Sequence, residues 1–218
     1  IGFGKWIPGG LGVTIFFFLS GYLITTLLCD EFQKNKFVSI KNFYIRRALR
    51  LTPPLTITLL LASTLTYIGI FEGGVTFLGV AAQLLYFANY YALFFDTGNT
   101  TPAGTGVFWS LAVEEHFYFL YPFIFLKISF HSRNEPRKLA YFLLISCLVV
   151  LLWRIVLVLY FHSNENRTYY ATDTRIDSII YGCILALVKN PRGATNFGST
   201  LKLKDWSIIL FSVLALLA

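Results

Sequence analysis

Methionine is absent from all 218 residues, so Ile1 is not a translational start and the chain reads as part of a longer protein. Charge is scarce too. Charged residues make up 13% of the chain, against about a quarter in an ordinary soluble domain. That shortfall excludes a water-soluble globule and leaves lipid as the solvent for most of the surface. Cysteine occurs three times, as Cys29, Cys147 and Cys183. An odd number without metal-ligand spacing excludes a disulfide framework and a cysteine-built metal centre. Lying in or beside apolar segments, the three read as small packing residues, and no metal is expected. Acidic residues number 11 against 18 basic ones, for a net charge of +7. The Lys and Arg lie mostly between apolar blocks, as in the cytoplasmic loops of membrane proteins, so no nucleic-acid partner is expected. Residues 1–28 lack the short, charge-flanked apolar core of a cleavable signal. No internal repeat and no low-complexity tract is visible.

What the chain does have is apolar length. Seven apolar blocks stand out, at about 11–28, 51–70, 75–95, 107–126, 140–161, 174–188 and 206–218. Most approach the roughly 20 residues that a helix needs to cross hydrocarbon. A helix also satisfies its own backbone hydrogen bonds, which lipid cannot do. The expected fold is therefore all-α, a polytopic transmembrane helical bundle, and the short last block again reads as a chain cut before its end.

The connecting segments carry orientation. Segment 29–50 holds Lys34, Lys36, Lys41, Arg46, Arg47 and Arg50; segment 127–139 holds Lys127, Arg133, Arg137 and Lys138; segment 189–205 holds Lys189, Arg192, Lys202 and Lys204. By the positive-inside bias these three are cytoplasmic, while 96–106, with no basic residue, and 162–173, with Arg167 alone, lie outside. Between Arg50 and Asp96 two apolar blocks occur where an odd number of crossings is required. Block 75–95, rich in interface-favouring aromatics (Tyr86, Phe87, Tyr90, Tyr91), is the better candidate for the one that does not cross.

Charges inside apolar blocks are costly and must face a partner or a polar interior. Three places qualify. In 41–55, Arg46, Arg47 and Arg50 fall within an arc of roughly 100° on a helix, and Pro53 and Pro54 are expected to disturb the next turn. This cationic face fits a phosphate-bearing ligand, because guanidinium forks suit phosphate; it equally fits anchoring to acidic lipid heads. In 106–122, Ser110, Glu114 and Tyr118 recur at every fourth position and share a face, with Glu115 and His116 directed elsewhere. Glu114 and Glu115 fit general acid–base work or the orienting of a base; they equally fit a structural ion pair. In 171–186, Asp173 and Asp177 share a helical face with Arg175 between them, which fits substrate contact or self-paired structural charges. Ser20 has no base beside it and reads as a small packing residue. Arg154, alone in block 140–161, needs a partner, with Glu114 the first candidate and Asp177 and Glu115 behind it.

Four segments occur in a telling order: GVTIFFFLSGYLITTLL (12–28), FYIRRALRLTPPL (43–55), FWSLAVEEHFYFLYP (108–122) and DTRIDSIIYGCILA (173–186). Together they resemble the successive signatures of the acyltransferase-3 family of membrane O-acyltransferases. The resemblance implies a bundle of about ten helices that moves an acyl group, usually acetyl, from a cytoplasmic acyl-CoA to a hydroxyl of an extracytoplasmic glycan. It matches Arg47 and Arg50 to the family's donor-side Arg-x-x-Arg, Glu114 to the first carboxylate of its Glu-Glu pair, and Arg175 and Asp177 to its fourth signature. It also implies a catalytic His in a first transmembrane helix, ahead of Ile1, and further helices beyond Ala218. Residues 1–218 would then be a partial membrane acyltransferase domain of a multi-pass protein in a bacterial inner (plasma) membrane.

On this reading Glu114 and Glu115 are the catalytic candidates. Arg46, Arg47, Arg50, Ser110, Tyr118, Arg175 and Asp177 are the substrate-binding ones. Acyl-CoA is a donor substrate and no resident cofactor is expected; the partners are the glycan acceptor and the lipid bilayer. The competing class is a transporter or flippase whose intramembrane charges line a substrate path.

Overall fold

The computed structural model describes residues 9–96, 98, 100–131 and 136–189. Among these described residues eight α-helices follow one another: α1 (Gly9–Asn35), α2 (Ile40–Tyr67), α3 (Phe77–Leu84), α4 (Ala88–Phe94), α5 (Phe108–His131), α6 (Pro136–Leu159), α7 (Glu165–Tyr170) and α8 (Thr172–Lys189). A 3₁₀ turn, Thr105–Val107, leads into α5. The described residues contain no strand, as the expected all-α class requires.

Among the described residues three helices are long and apolar enough to cross a membrane: α1, α2 and α6. The expected seven apolar segments are thus not seven equivalent spans. Block 75–95 breaks into α3 and α4 because Tyr86 turns to φ 60°, a left-handed conformation that no α-helix continues through. Helices α5 and α8 have the length but also carry the carboxylates and arginines discussed below, which lower their apolarity. Block 206–218 and segment 190–205 lie outside the described residues, as do 132–135 of segment 127–139.

Local sequence sets the boundaries. Helix α1 stops where Lys36 adopts φ 60° and its N–H donates back to the Phe32 carbonyl at 2.8 Å, a left-handed C-terminal cap. Ser39 caps α2 by accepting from the Asn42 N–H, which satisfies one of the free first-turn donors. Contrary to expectation, α2 continues through Pro53 and Pro54, although those two nitrogens cannot donate to the carbonyls of Leu49 and Arg50. Pro136 opens α6, where a missing N–H costs nothing.

The chain divides into two compact units. One comprises α1, the second half of α5 from Leu120, α6 as far as Trp153, and α8 from Ile176. Its interior is built on backbone contact. A Cβ at Gly182 would lie 1.9 Å from the Phe18 carbonyl oxygen, and one at Gly21 would lie 1.9 Å from that of Ile179. Only glycine lets α1 and α8 approach so closely. Around that crossing Phe17, Leu28, Tyr121, Leu139 and Ile179 are fully buried. Thr25 and Tyr121 share a hydrogen bond of 2.8 Å, which satisfies two hydroxyls that would otherwise be stranded in an apolar core.

The second unit comprises residues 39–119 and 154–175: α2, α3, α4, the first half of α5, the end of α6, α7 and the first turn of α8. Polar side chains close its loops. The Gln83 amide donates to Thr105 Oγ1 at 2.8 Å, and that hydroxyl donates to the Pro102 carbonyl at 2.7 Å. The Ala103 N–H donates to Thr66 Oγ1 at 3.2 Å, tying the segment before α5 to the end of α2. Gly79 is a third position where a Cβ cannot fit, 2.3 Å from the Thr100 carbonyl oxygen.

Candidate active site

The second unit brings the N-terminal turns of α2 against the middle of α5. Tyr44 fixes the register: its hydroxyl donates to the Phe119 carbonyl at 2.7 Å and, more weakly, to that of Tyr118 at 3.4 Å. One turn further along α2, Arg47 reaches both carboxylates of α5. Its Nε donates to Glu115 Oε1 at 2.5 Å and its Nη2 pairs with the same oxygen. Nη2 also faces Glu114 Oε2 at 3.7 Å. The guanidinium carbon sits 3.4 Å from the centroid of the Tyr118 ring, a cation–π stack. Tyr118 in turn donates from its hydroxyl to Glu114 Oε1 at 3.3 Å.

The expected sharing of a face by Glu114 and Tyr118 therefore holds as a hydrogen bond. Ser110, the third residue of that row, donates to the Val107 carbonyl at 3.0 Å and so closes its own turn. Glu115, expected to point away, is joined to Glu114 through the one guanidinium. Burial explains why the arrangement is needed: Glu114 is 5% exposed, and a carboxylate so placed is costly without a cation and a donor beside it.

The remaining expected residues are distributed differently. Arg46 and Arg50 are exposed on α2, and the positive field of Arg50 reaches Glu114. Asp173 is paired by Arg167 of α7, through a two-pronged contact of 2.9 and 2.6 Å. The Arg175 guanidinium lies over the Tyr169 ring at 5.1 Å. The buried Asp177 carboxylate accepts from the Ser178 N–H at 2.9 Å. Arg154 donates to the Thr174 carbonyl at 2.8 Å, and the cation that bridges Glu114 and Glu115 is Arg47.

Sequence reasoning missed a second polar group in this unit. Asn89, fully buried in α4, donates to Thr172 Oγ1 at 2.9 Å and to the Tyr170 carbonyl at 3.3 Å. The same Thr172 hydroxyl lies 2.8 Å from His116 Nδ1. The His116 ring packs against Tyr90 and Phe87, with centroids 5.9 and 5.3 Å away. His116 is thereby a joint between α4, α5 and α8, on the opposite side of α5 from Glu114 in the helical wheel. The signal in the sequence was an Asn in a mainly apolar block. Among the described residues no group of three His, Cys, Asp or Glu is placed to hold a metal ion.

A buried carboxylate and its half-buried neighbour, clamped by one arginine on apolar helices, define a membrane protein with a polar centre. Comparison with known proteins then supplies its kinship. The family model described as an acyltransferase domain, that of acyltransferase-3, matches residues 2–218, and the chain belongs to that family. It is similar to the O-acetyltransferase OatA of Staphylococcus aureus, with 34% identity over 197 residues, 86% of this chain and 31% of the relative. It is also similar to the peptidoglycan O-acetyltransferase OatA of Listeria monocytogenes, with 34% identity over 193 residues, 84% of this chain and 30% of the relative. The chain thus spans about a third of the length of these relatives. No solved structure matches it.

Proposed function

We propose that the protein is a multi-pass membrane O-acyltransferase that moves an acetyl group from acetyl-CoA on the cytoplasmic side to a hydroxyl of an extracytoplasmic glycan. The class of glycan favoured is peptidoglycan, the substrate that the name of the Listeria monocytogenes relative carries. The observation that supports a catalytic reading best is the Arg47–Glu115–Glu114–Tyr118 cluster. It holds one nearly buried carboxylate, Glu114, in fixed orientation by two contacts from different directions.

In the reaction the acceptor oxygen attacks the thioester carbonyl. A carbon–oxygen bond forms, the carbon–sulfur bond breaks, and the hydroxyl proton leaves by way of a base while CoA departs as thiol. Glu114 orients that base or holds the acceptor hydroxyl in line, a role in which a carboxylate must be preset. Exposed guanidinium groups on α2, Arg46 and Arg50, provide the charge that the donor's phosphates need. Ser110, Arg175 and Asp177 are assigned to the substrates on the family resemblance.

The test is expression of the full-length protein in a host whose own glycan O-acetylation has been deleted, followed by alkaline release of acetate from the purified wall. Ester should appear with the wild type and fall about 100-fold or more in Glu114→Gln, the usual range for loss of one acid–base or orienting group. Wild-type protein present in the membrane with no ester gained would overturn the reading.

A further inference from the structure

The three arginines of α2 look alike in sequence and differ in surroundings. Arg46 and Arg50 are exposed, whereas the Arg47 side chain retains 20% of its surface. Two of its donors converge on one oxygen of Glu115, and one of these also faces Glu114. One face of its plane is covered by Tyr118. A guanidinium has five N–H donors and no acceptor. Here the edge formed by Nε and Nη2, one of the two forks with which arginine grips an anion, is committed, and the other fork shares the same Nη2. A phosphate approaching it would meet two carboxylates for one cation.

From this geometry we propose that Arg47 is a positioning residue and not a ligand of the donor. It sets the Glu114–Glu115 pair of α5 against α2, and the donor's phosphates fall to Arg46 and Arg50. Tyr44 supports the same assignment from one turn earlier, because its bond to the Phe119 carbonyl already fixes the helix register. What Arg47 adds is placement of the carboxylates. The placement needs a planar fork and a stacking face together, which an ammonium group does not offer. The donor half of this inference rests on the acetyl-CoA reading above; the carboxylate half does not.

The experiment uses full-length protein in nanodiscs, with acetyl-CoA and S-acetyl-pantetheine, a donor without phosphates. R47A should lower kcat about 100-fold for both donors, with each KM within about threefold of wild type, the pattern of an interaction that matters in the transition state and not in donor binding. R47K should recover little of that loss at an unchanged thermal midpoint, which separates it from misfolding. R50A should raise the KM of acetyl-CoA about tenfold or more and leave that of S-acetyl-pantetheine as it was. The charge exchange R47E/E115R should regain about tenfold or more over R47E alone, the coupling that a direct pair shows in a double-mutant cycle. If R47A raises KM for acetyl-CoA alone while kcat holds, Arg47 is a phosphate ligand and the proposal is overturned. It is overturned as well if the folded charge-exchange protein is no better than R47E. Should wild-type protein turn over neither donor, the acetyl-CoA reading falls, and the same charge exchange, scored as glycan ester in cells, still decides the role of Arg47.

Discussion

Replacing Gly182 with alanine tests the packing of the first unit at its tightest point. The added Cβ would stand 1.9 Å from the Phe18 carbonyl oxygen, 2.7 Å from the Tyr22 nitrogen and 2.9 Å from the Phe18 carbonyl carbon. Ordinary contact begins at 3.4 Å, so α1 must retreat by about 1.5 Å, and a gap that wide forfeits much of the dispersion attraction along the crossing. All three obstructing atoms are backbone, so no rotamer change relieves them. Overpacking of a core by one carbon costs about 1–3 kcal/mol where side chains can adjust; with backbone in the way, about 3 kcal/mol or more is expected. The result should be a fall of about 6–12 °C in thermal midpoint, at about 2–4 °C per kcal/mol for a chain of this size. Gly12 provides the matched control. It lies on the same helix α1 as the crossing but has nothing within 4 Å of its would-be Cβ. Gly12→Ala should be neutral or stabilising by up to about 1 kcal/mol, through helix propensity alone. Thermal unfolding of the two variants in detergent, followed by size-exclusion chromatography, makes the comparison. Equal midpoints for G182A and G12A would show that the crossing is not formed as described.

Two further outcomes concern buried polar groups. Thr25→Val and Tyr121→Phe should each cost about 1 kcal/mol, and the double variant should cost clearly less than their sum, because the two share one hydrogen bond; strict additivity in the unfolding cycle would remove that bond. Thr172→Val should destabilise by about 1–3 kcal/mol, since it strips a partner from both Asn89 and His116, whereas Thr172→Ser should retain most of the stability; equal losses in the two thermal midpoints would assign the effect to the methyl group instead.

Residue spacing made some of this site legible and hid the rest for a definite reason. The blocks that became α1, α2 and α6 are long and mainly apolar, and length with apolarity was enough to find them. The Tyr118–Glu114 bond follows from a spacing of four on a helix. Arg47–Glu115 joins residues 68 apart, and nothing local singles out Arg47 from Arg46 or Arg50 as the one that turns inward. Arg167 was taken for a loop residue and proved to be the partner of Asp173, because the chain bends back between α7 and α8 and six residues of separation become a contact. The break at Tyr86 lies in an aromatic run without Gly or Pro, so no turn signal marks it. Asn89 and its partner Thr172 hold the far side of that break, and they are 83 residues apart.

That break also bears on orientation. The basic turns at the start of α2 and the segment around Gly98, which has no basic residue, were expected on opposite faces of the membrane, which demands an odd number of crossings between them. Helix α2 has 28 residues and a length of about 42 Å at 1.5 Å per residue, ample for a hydrocarbon core of about 30 Å. Helices α3 and α4, with 8 and 7 residues, reach about 12 and 10 Å, and neither can cross. One crossing, by α2, therefore satisfies the charge pattern that two equivalent blocks could not. The prediction is that a cysteine at Asn42 is labelled only from the cytoplasmic side and one at Gly98 only from outside, in a background with Cys29, Cys147 and Cys183 replaced by alanine. Both native positions are exposed, so a membrane-impermeant maleimide applied to intact cells and to inverted vesicles can reach them. Labelling of both from the same side would mean that α2 does not span, and the orientation drawn from the lysines and arginines would fall with it.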